Sequence, residues 1–350
     1  MGRPMATPSQ SSQSSQTASE IGRRAFLGGV MAAAGTLAAG RGSLQAAPAG
    51  GGEIEIVRNP LVYHFKIGEL DAWSVSDGHM LFRDPLKLMH PEEDRPAMQE
   101  WLEVHGERVD GIPLYINILV VRIGKEIVIF DAGFGQHPNP NFGWMAEGLR
   151  QIGIAPEMVT AGFLSHSHVD HLAGFVRDGK PMFPNAAFHF LPEEKAFWHE
   201  KEPDFSKSKR NKDELPGLIR SVREQFEILS GLSKPLKPGD SLFGGAVTIE
   251  AAPGHTAGHA IFRIRSGKES LLHIMDLSHH HGFMYHNPNW TIAFDHDPVQ
   301  SVDTRKKVFA KAAAERTRCY GFHVPWPGLG QIVPMGEGYL WHSERWNWGS

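Results

Sequence analysis

Cysteine is scarce in this sequence, since Cys319 is the only one among 350 residues. A single thiol excludes an internal disulfide and any metal site built from several cysteines. We interpret Cys319 as a small buried apolar residue. A metal site in this chain must therefore draw on carboxylates and on its 20 histidines.

Basic residues do not outnumber acidic ones in this sequence. The chain carries 35 Lys and Arg against 39 Asp and Glu, a formal net charge of −4. This balance gives no support to a nucleic-acid-binding surface. No segment recurs at the periods of about 20 to 50 residues that mark solenoids.

The apolar run at residues 28–39 is too short for a membrane helix, which needs about 20 residues, so we expect no stable membrane insertion. It follows Arg23 and Arg24 and precedes Ala47-Pro48-Ala49, a pattern typical of twin-arginine export signals. We predict that residues 1–49 are a removed signal and linker. The mature protein would then be periplasmic or secreted, with the twin-arginine export machinery as a partner.

The remainder, residues 50–350, is predicted to be one domain, because 41% hydrophobic content can bury a large core. Short apolar runs alternate with helical patterns, which favours a layered α/β fold. The charged residues 201–214 are interpreted as a solvated loop, or alternatively as a mobile lid beside a pocket. Strands are predicted at 116–123, 127–130, 159–164, 187–191, 244–252, 260–265, 270–275 and 319–324, and helices at 145–152 and 298–314.

The densest chemical signal is the stretch from Ser165 to His171, which reads S-H-S-H-V-D-H and follows the predicted strand 159–164. His166 and His168 are two apart on extended backbone, so both side chains point the same way and can bind one ion. Asp170 and His171 lie where the chain begins to coil and can hold a second ion. Imidazole with carboxylate suits zinc, and also manganese, iron or cobalt, better than calcium or magnesium.

Four ligands cannot fill two metal shells, so further ligands are expected at other strand ends. Candidates are His255 in P-G-H-T-A-G-H, Asp276 after L-L-H-I-M, and His323 at the end of the last predicted strand. Asp131 also follows a strand, and we predict that it accepts a hydrogen bond from a ligand histidine; a plain turn aspartate is the alternative.

In this order of ligands the chain resembles the metallo-β-lactamase superfamily, whose fold is an αββα sandwich with metals at the sheet edge. Similarity to the branch of methyl parathion hydrolase and related lactonases comes from three features: Ser76-Asp77-Gly78, Thr304-Arg305-Lys306-Lys307 after an Asp-x-Asp at Asp295 and Asp297, and the tail G-F-H-V-P-W-P-G-L-G. The resemblance implies one metal on His166, His168 and His255. It implies a second metal on Asp170, His171 and His323, with Asp276 bridging the two.

The activity implied is hydrolysis of lactones, aryl esters or organophosphate triesters by attack of a metal-bound hydroxide, for which two divalent ions, most simply zinc, are the cofactors. Asp170 and Asp276 are the predicted catalytic residues, which position the hydroxide. His259 is expected to support a ligand or, alternatively, to cap a turn. The substrate would be small, neutral and hydrophobic, and a homodimer is consistent with the resemblance. The side chains predicted to contact it are Phe134, Trp144, Trp198 and His279.

Two departures from the family pattern are visible. Relatives usually have glycine before the bridging aspartate, whereas this chain has Met275, whose side chain could shift Asp276 or crowd the pocket. The run His279-His280-His281 supplies more imidazole than the pattern needs, and one of the three could face the pocket.

Two other functions remain open at this point. A thioester hydrolase similar to glyoxalase II, or a β-lactamase, would use the same ligands. A glutathione thioester is anionic and should need a basic patch, which the sequence does not clearly show. From a different class, the chain could be a metal-binding protein that kept the fold and lost activity.

Overall fold

The computed structural model describes residues 60–347. The predicted export signal lies outside the described residues. The helices are α1 (Arg95–Val104), α2 (Met145–Gln151), α3 (Val169–Leu172), α4 (Pro192–His199), α5 (Leu215–Ile228), α6 (Phe283–His286) and α7 (Pro298–Ala314). The strands are β1 (Val62–Ile67), β2 (Leu70–Arg83), β3 (Met89–His90), β4 (Gly111–Ile123), β5 (Glu126–Phe130), β6 (Val159–Phe163), β7 (Val176–Arg177), β8 (Lys180–Pro181), β9 (Ala187–His189), β10 (Ser241–Leu242), β11 (Val247–Ala251), β12 (Ala260–Ser266), β13 (Glu269–His273), β14 (Thr291–Ile292), β15 (Arg318–Tyr320), β16 (Leu329–Met335) and β17 (Gly338–Ser343).

Two large sheets form the centre of the domain. One has the strand order β1-β2-β4-β5-β6-β9 and the other β10-β11-β12-β13-β15-β16-β17. Their inner faces share one apolar core, in which the Phe130 and Phe262 rings lie 5.1 Å apart and Phe65 stacks on Tyr320 at 6.4 Å. The near-continuous apolar sequences of β4 and β5 follow from this burial on both faces.

Helices cover the outer faces of the sheets. In α5, Val222 and Phe226 are four residues apart, so they share one face, which is buried, and Phe226 packs on Phe190 at 5.2 Å. Asp297 caps the N-terminus of α7, because its side chain accepts a hydrogen bond from the Gln300 amide. Pro298 then occupies the first helical position. The αββα prediction is confirmed.

The differences from the sequence prediction are local. Helix α5 and the hairpin β16–β17 were not predicted. Within residues 60–347, no helix combines the length and hydrophobicity needed to cross a membrane.

Candidate metal centre

The carboxyl ends of parallel strands bring the predicted ligands to one edge of the molecule. Strands β5, β6 and β9 run parallel in the first sheet, and β13 runs parallel to β15 in the second. His166 follows β6, Asp276 follows β13 and His323 follows β15. Because the two sheets face each other, these three strand ends open into the same crevice.

The first ligand group consists of His166, His168 and His255, all buried. Nδ1 of His168 lies 3.0 Å from Nε2 of His166 and 2.9 Å from Nε2 of His255. Burial, together with nearby positive charge, lowers the pKa of His166 and His168 well below the ordinary value. Both rings are therefore neutral at neutral pH, which is the form that ligates metal.

The second ligand group consists of Asp170, His171 and His323. Oδ2 of Asp170 lies 3.7 Å from Nε2 of His171 and 3.4 Å from Nε2 of His323. Asp170 and His171 lie in α3, which begins at Val169 directly after His168, and the His171 ring lies 4.0 Å from the His166 ring, so the two groups adjoin.

Asp276 joins the two groups. Its Oδ2 lies 3.2 to 3.7 Å from Nε2 of five histidines, which are His166, His171, His255, His279 and His323. Burial opposes ionisation, yet the facing imidazoles of His171 and His323 hold the pKa of Asp276 well below its ordinary range.

Several buried polar atoms here lack a hydrogen-bond partner within the described chain, among them Nε2 of His171 and Oδ1 of Asp276. Leaving such atoms unpaired is costly unless something else binds them. The converging nitrogens and the shared carboxylate are the donor set that zinc and similar divalent transition metals prefer. The residues present therefore fit divalent metal binding.

The outer nitrogens of His171 and His323 are also held. His171 Nδ1 donates to Oδ2 of Asp131 at 2.6 Å, and the same carboxylate accepts from the amide and hydroxyl of Ser165. His323 Nδ1 donates to the Tyr115 carbonyl at 2.8 Å. These bonds select the ring tautomer that presents Nε2 to the site, which is the role predicted for Asp131.

His259, in the loop before β12, and Asp295, in the loop between β14 and α7, support the site. His259 Nδ1 donates to the Ala252 carbonyl at 2.9 Å, and its Nε2 accepts from the Asp276 amide at 3.3 Å. Asp295 accepts from His255 Nδ1 at 2.8 Å. The sequence prediction noted Asp295 only as part of a family motif and did not assign it this contact.

Glu194 was missed entirely by sequence reasoning. This residue of α4 is 1% exposed, and its carboxylate accepts four hydrogen bonds. Oε1 accepts from the Ser167 amide and the Trp198 indole, both at 2.8 Å, and Oε2 accepts from Thr256 Oγ1 at 2.6 Å and the Gly258 amide at 3.0 Å. Glu194 thus ties the loop that carries His166 and His168 to the loop that carries His255.

A cavity of about 220 Å³ opens beside the ligands. Phe134 and His279 line it, as predicted. Trp144 and Trp198 do not: Trp198 is fully buried against Glu194 and Phe205, and Trp144 donates to the Pro140 carbonyl. Neither indole group lines this cavity, so the structure gives no support to their predicted contact with substrate. The apolar wall is formed instead by Met80, Phe82, Leu114, Phe134, Val169, Leu218 and Phe294.

Alternation along β2 could have revealed part of this wall. Met80 and Phe82 are two apart on β2, so they face the same side of the sheet. Leu114, on the neighbouring strand β4, lies directly opposite Met80. Of the three consecutive histidines, only His279 faces the cavity. His280 packs against Trp101 and Phe283, and His281 lies 3.2 Å from Glu107.

Met275 does not crowd the cavity, contrary to one expectation. Its backbone is left-handed, with φ 48°, which explains why glycine is usual in the family. Its side chain is fully buried in the core. The backbone conformation costs about 1–2 kcal/mol, and burying a methionine side chain contributes about 1.5–3 kcal/mol, so burial offsets the strain.

Comparison with known proteins agrees with this geometry. A family model described as the metallo-beta-lactamase superfamily matches residues 111–312, more than half of the chain. Curated protein sequences gave no significant match.

Solved structures of related proteins align over most of the chain. AidC, a dizinc quorum-quenching lactonase in complex with the product N-hexanoyl-L-homoserine, aligns with TM-score 0.79 and 27% identity, covering 83% of this chain and 100% of AidC. The hydrolase AbOPH aligns with TM-score 0.75 and 25% identity over 83% of this chain and 100% of its own. A probable metal-dependent hydrolase from Staphylococcus aureus, at 17% identity and TM-score 0.61 over 81% of this chain and 100% of its own, shares the fold. The chain belongs to the metallo-beta-lactamase superfamily and is a metal-dependent hydrolase.

Proposed function

We propose that this protein is a lactonase that uses two zinc ions and is exported by the twin-arginine route. The observation that carries the proposal is the position of Asp276, whose Oδ2 connects the two ligand groups at the floor of a small, largely apolar cavity. The similarity to AidC, a dizinc lactonase, supports the same activity.

His166, His168 and His255 would hold one ion and Asp170, His171 and His323 the other, with Asp276 shared. When bound, such ions supply a Lewis acid and acidify water for attack on a carbonyl carbon. Oδ1 of Asp276 has no partner in the described chain and is placed to accept a hydrogen bond from the attacking water. The Asp170 carboxylate also lines the cavity and would help to orient that water.

The cavity favours a small substrate with an apolar tail. Its volume is below the range of about 300–1,000 Å³ usual for drug-sized ligands. Phe134, Met80, Phe82 and Leu114 are among the apolar side chains that line it together with the ligands. A lactone ring over Asp276 would leave an acyl chain against these side chains.

The rival functions fit the cavity less well. Arg210 is the only Lys or Arg among the residues that line it, and Glu214 lines it too, so the described wall lacks the basic patch that a glutathione thioester would need. A metal-binding protein without activity would not need the hydrophobic wall beside its ligands.

The test is the ratio of kcat/KM for N-hexanoyl-L-homoserine lactone to that for a p-nitrophenyl phosphotriester, measured on zinc-loaded protein. We expect the lactone to be preferred by about 100-fold or more, because the apolar wall binds its acyl chain while phosphotriester turnover gains only from the metals. The variant His168→Ala should lose both zinc and turnover. A preference for the phosphotriester, or full activity of metal-free protein, would refute the proposal.

Export has its own test. Replacing Arg23 and Arg24 by lysine should retain the protein in the cytoplasm, because the paired arginines are what the export receptor recognises. Cell fractionation with immunodetection measures this. Unchanged periplasmic or secreted protein in the double variant would contradict the assignment.

A further inference from the structure

Residues 201–214, which we call the strap, are packed against the domain rather than solvated throughout. Phe205 is buried between Phe197, at 5.1 Å, and Trp198, at 5.6 Å. Ser208 Oγ donates to the Ala293 carbonyl at 3.3 Å, and Lys212 Nζ donates to the Ser208 carbonyl at 3.0 Å. The strap therefore has a defined position at the cavity mouth.

The strap places one cation inside the cavity. The guanidinium carbon of Arg210 lies 4.7 Å from the centre of the Phe294 ring, and its Nη2 lies 3.0 Å from Nε2 of His168. Stacking on an aromatic ring holds the planar guanidinium in a fixed orientation. Arg210 thus stands at the border between the ligand group and the apolar wall.

The contact with His168 cannot persist as a hydrogen bond when metal is bound. His168 turns Nδ1 toward His166 and His255, so Nδ1 is its ligating atom. A neutral imidazole that ligates through Nδ1 carries its hydrogen on Nε2. The N–H groups of Arg210 and of His168 Nε2 would then face each other, and both are donors. Arg210 would therefore need another acceptor.

The cavity provides few acceptors for Arg210. Besides the predicted metal ligands and His279, its lining consists of apolar side chains and Glu214, which is exposed to solvent. An unpaired guanidinium in a partly buried position is unfavourable, because charged donors are costly to leave unsatisfied. The substrate is the remaining source of an acceptor.

We propose that Arg210 is a specificity-determining residue that donates hydrogen bonds to a second carbonyl oxygen of the substrate, next to the scissile ester. In an acylamino lactone such as N-hexanoyl-L-homoserine lactone, the amide carbonyl would supply that oxygen. This inference rests on the proposed lactonase function.

The experiment compares N-hexanoyl-L-homoserine lactone with γ-decalactone, which has an alkyl chain but no amide. In Arg210→Met, the ratio of kcat/KM for the first lactone to that for the second should fall about 10- to 100-fold, as expected for loss of a charged hydrogen bond. Arg210→Lys should give an intermediate ratio. Lys209→Met, an exposed neighbour on the strap, should keep the ratio of the unsubstituted protein.

Two further readouts separate recognition from structure. Calorimetry of zinc-loaded protein should show that Arg210→Met binds N-hexanoyl-L-homoserine at least about 10-fold more weakly, while zinc content stays unchanged. An unchanged ratio with unchanged product affinity would overturn the role of Arg210, as would an equal loss on both lactones together with lost zinc. If the unsubstituted protein hydrolyses no lactone, the proposed function fails, and the calorimetric comparison still decides the role of Arg210.

Discussion

Replacing Asp276 by asparagine will reduce kcat/KM for lactone hydrolysis by about 10³-fold or more, the loss expected when a major electrostatic contact is removed. Asparagine keeps the size of the side chain but removes the negative charge that faces the five histidine nitrogens. In the proposed two-zinc site, the shared carboxylate would let two cations lie close together, so the second ion should also be lost. Steady-state kinetics and elemental analysis of the purified variant measure both effects.

The matched control is Asp303→Asn, which makes the same chemical change at an exposed position on α7. It should leave kinetics and metal content unchanged. If Asp276→Asn retained two ions and near-normal turnover, Asp276 would not be the bridging ligand, and the assignment of the two groups would have to be revised.

Glu194→Gln is expected to weaken zinc binding by about 10- to 100-fold, although Glu194 belongs to neither ligand group. A glutamine amide keeps one accepting oxygen and replaces the other with an NH2 group that only donates, whereas all four partners of Glu194 are donors. At least one donor from the ligand loops would be left buried and unpaired, which costs about 1–3 kcal/mol of stability. Chelator competition measures the zinc affinity, and urea unfolding of the metal-free protein measures stability.

The adjacent residue provides the control for this second experiment. Glu193 lies on the same turn of α4 and is exposed, so Glu193→Gln should change neither quantity. Equal zinc affinity in Glu194→Gln and Glu193→Gln would show that the two loops hold their positions without the Glu194 carboxylate.

Much of the fold was accessible from local pattern. Strands β4, β5 and β6 were predicted because both of their faces are buried, which makes their sequences almost uniformly apolar. Helix α7 was predicted with both ends correct because Asp297 and Pro298 mark its start. Helix α5 was missed because it follows the charged strap and buries only a narrow stripe around Val222 and Phe226.

The site residues likewise divide into those that local sequence predicts and those that only the tertiary structure places. Four candidate ligands lie within six positions of one another directly after β6, and His255, Asp276 and His323 each follow an apolar run. A strand end has a recognisable sequence and a fixed place at the sheet edge, so the amino-acid sequence by itself determined this ligand set and the chemistry it implies.

Only the tertiary structure decided which side chains support and surround that set. Glu194 meets Thr256 across 62 positions of sequence, and His255 meets Asp295 across 40. Trp198 is turned into the interior, and Arg210 is brought to His168 by the packing of the strap. Such contacts depend on how separate elements are packed together in space, and no local periodicity records that arrangement.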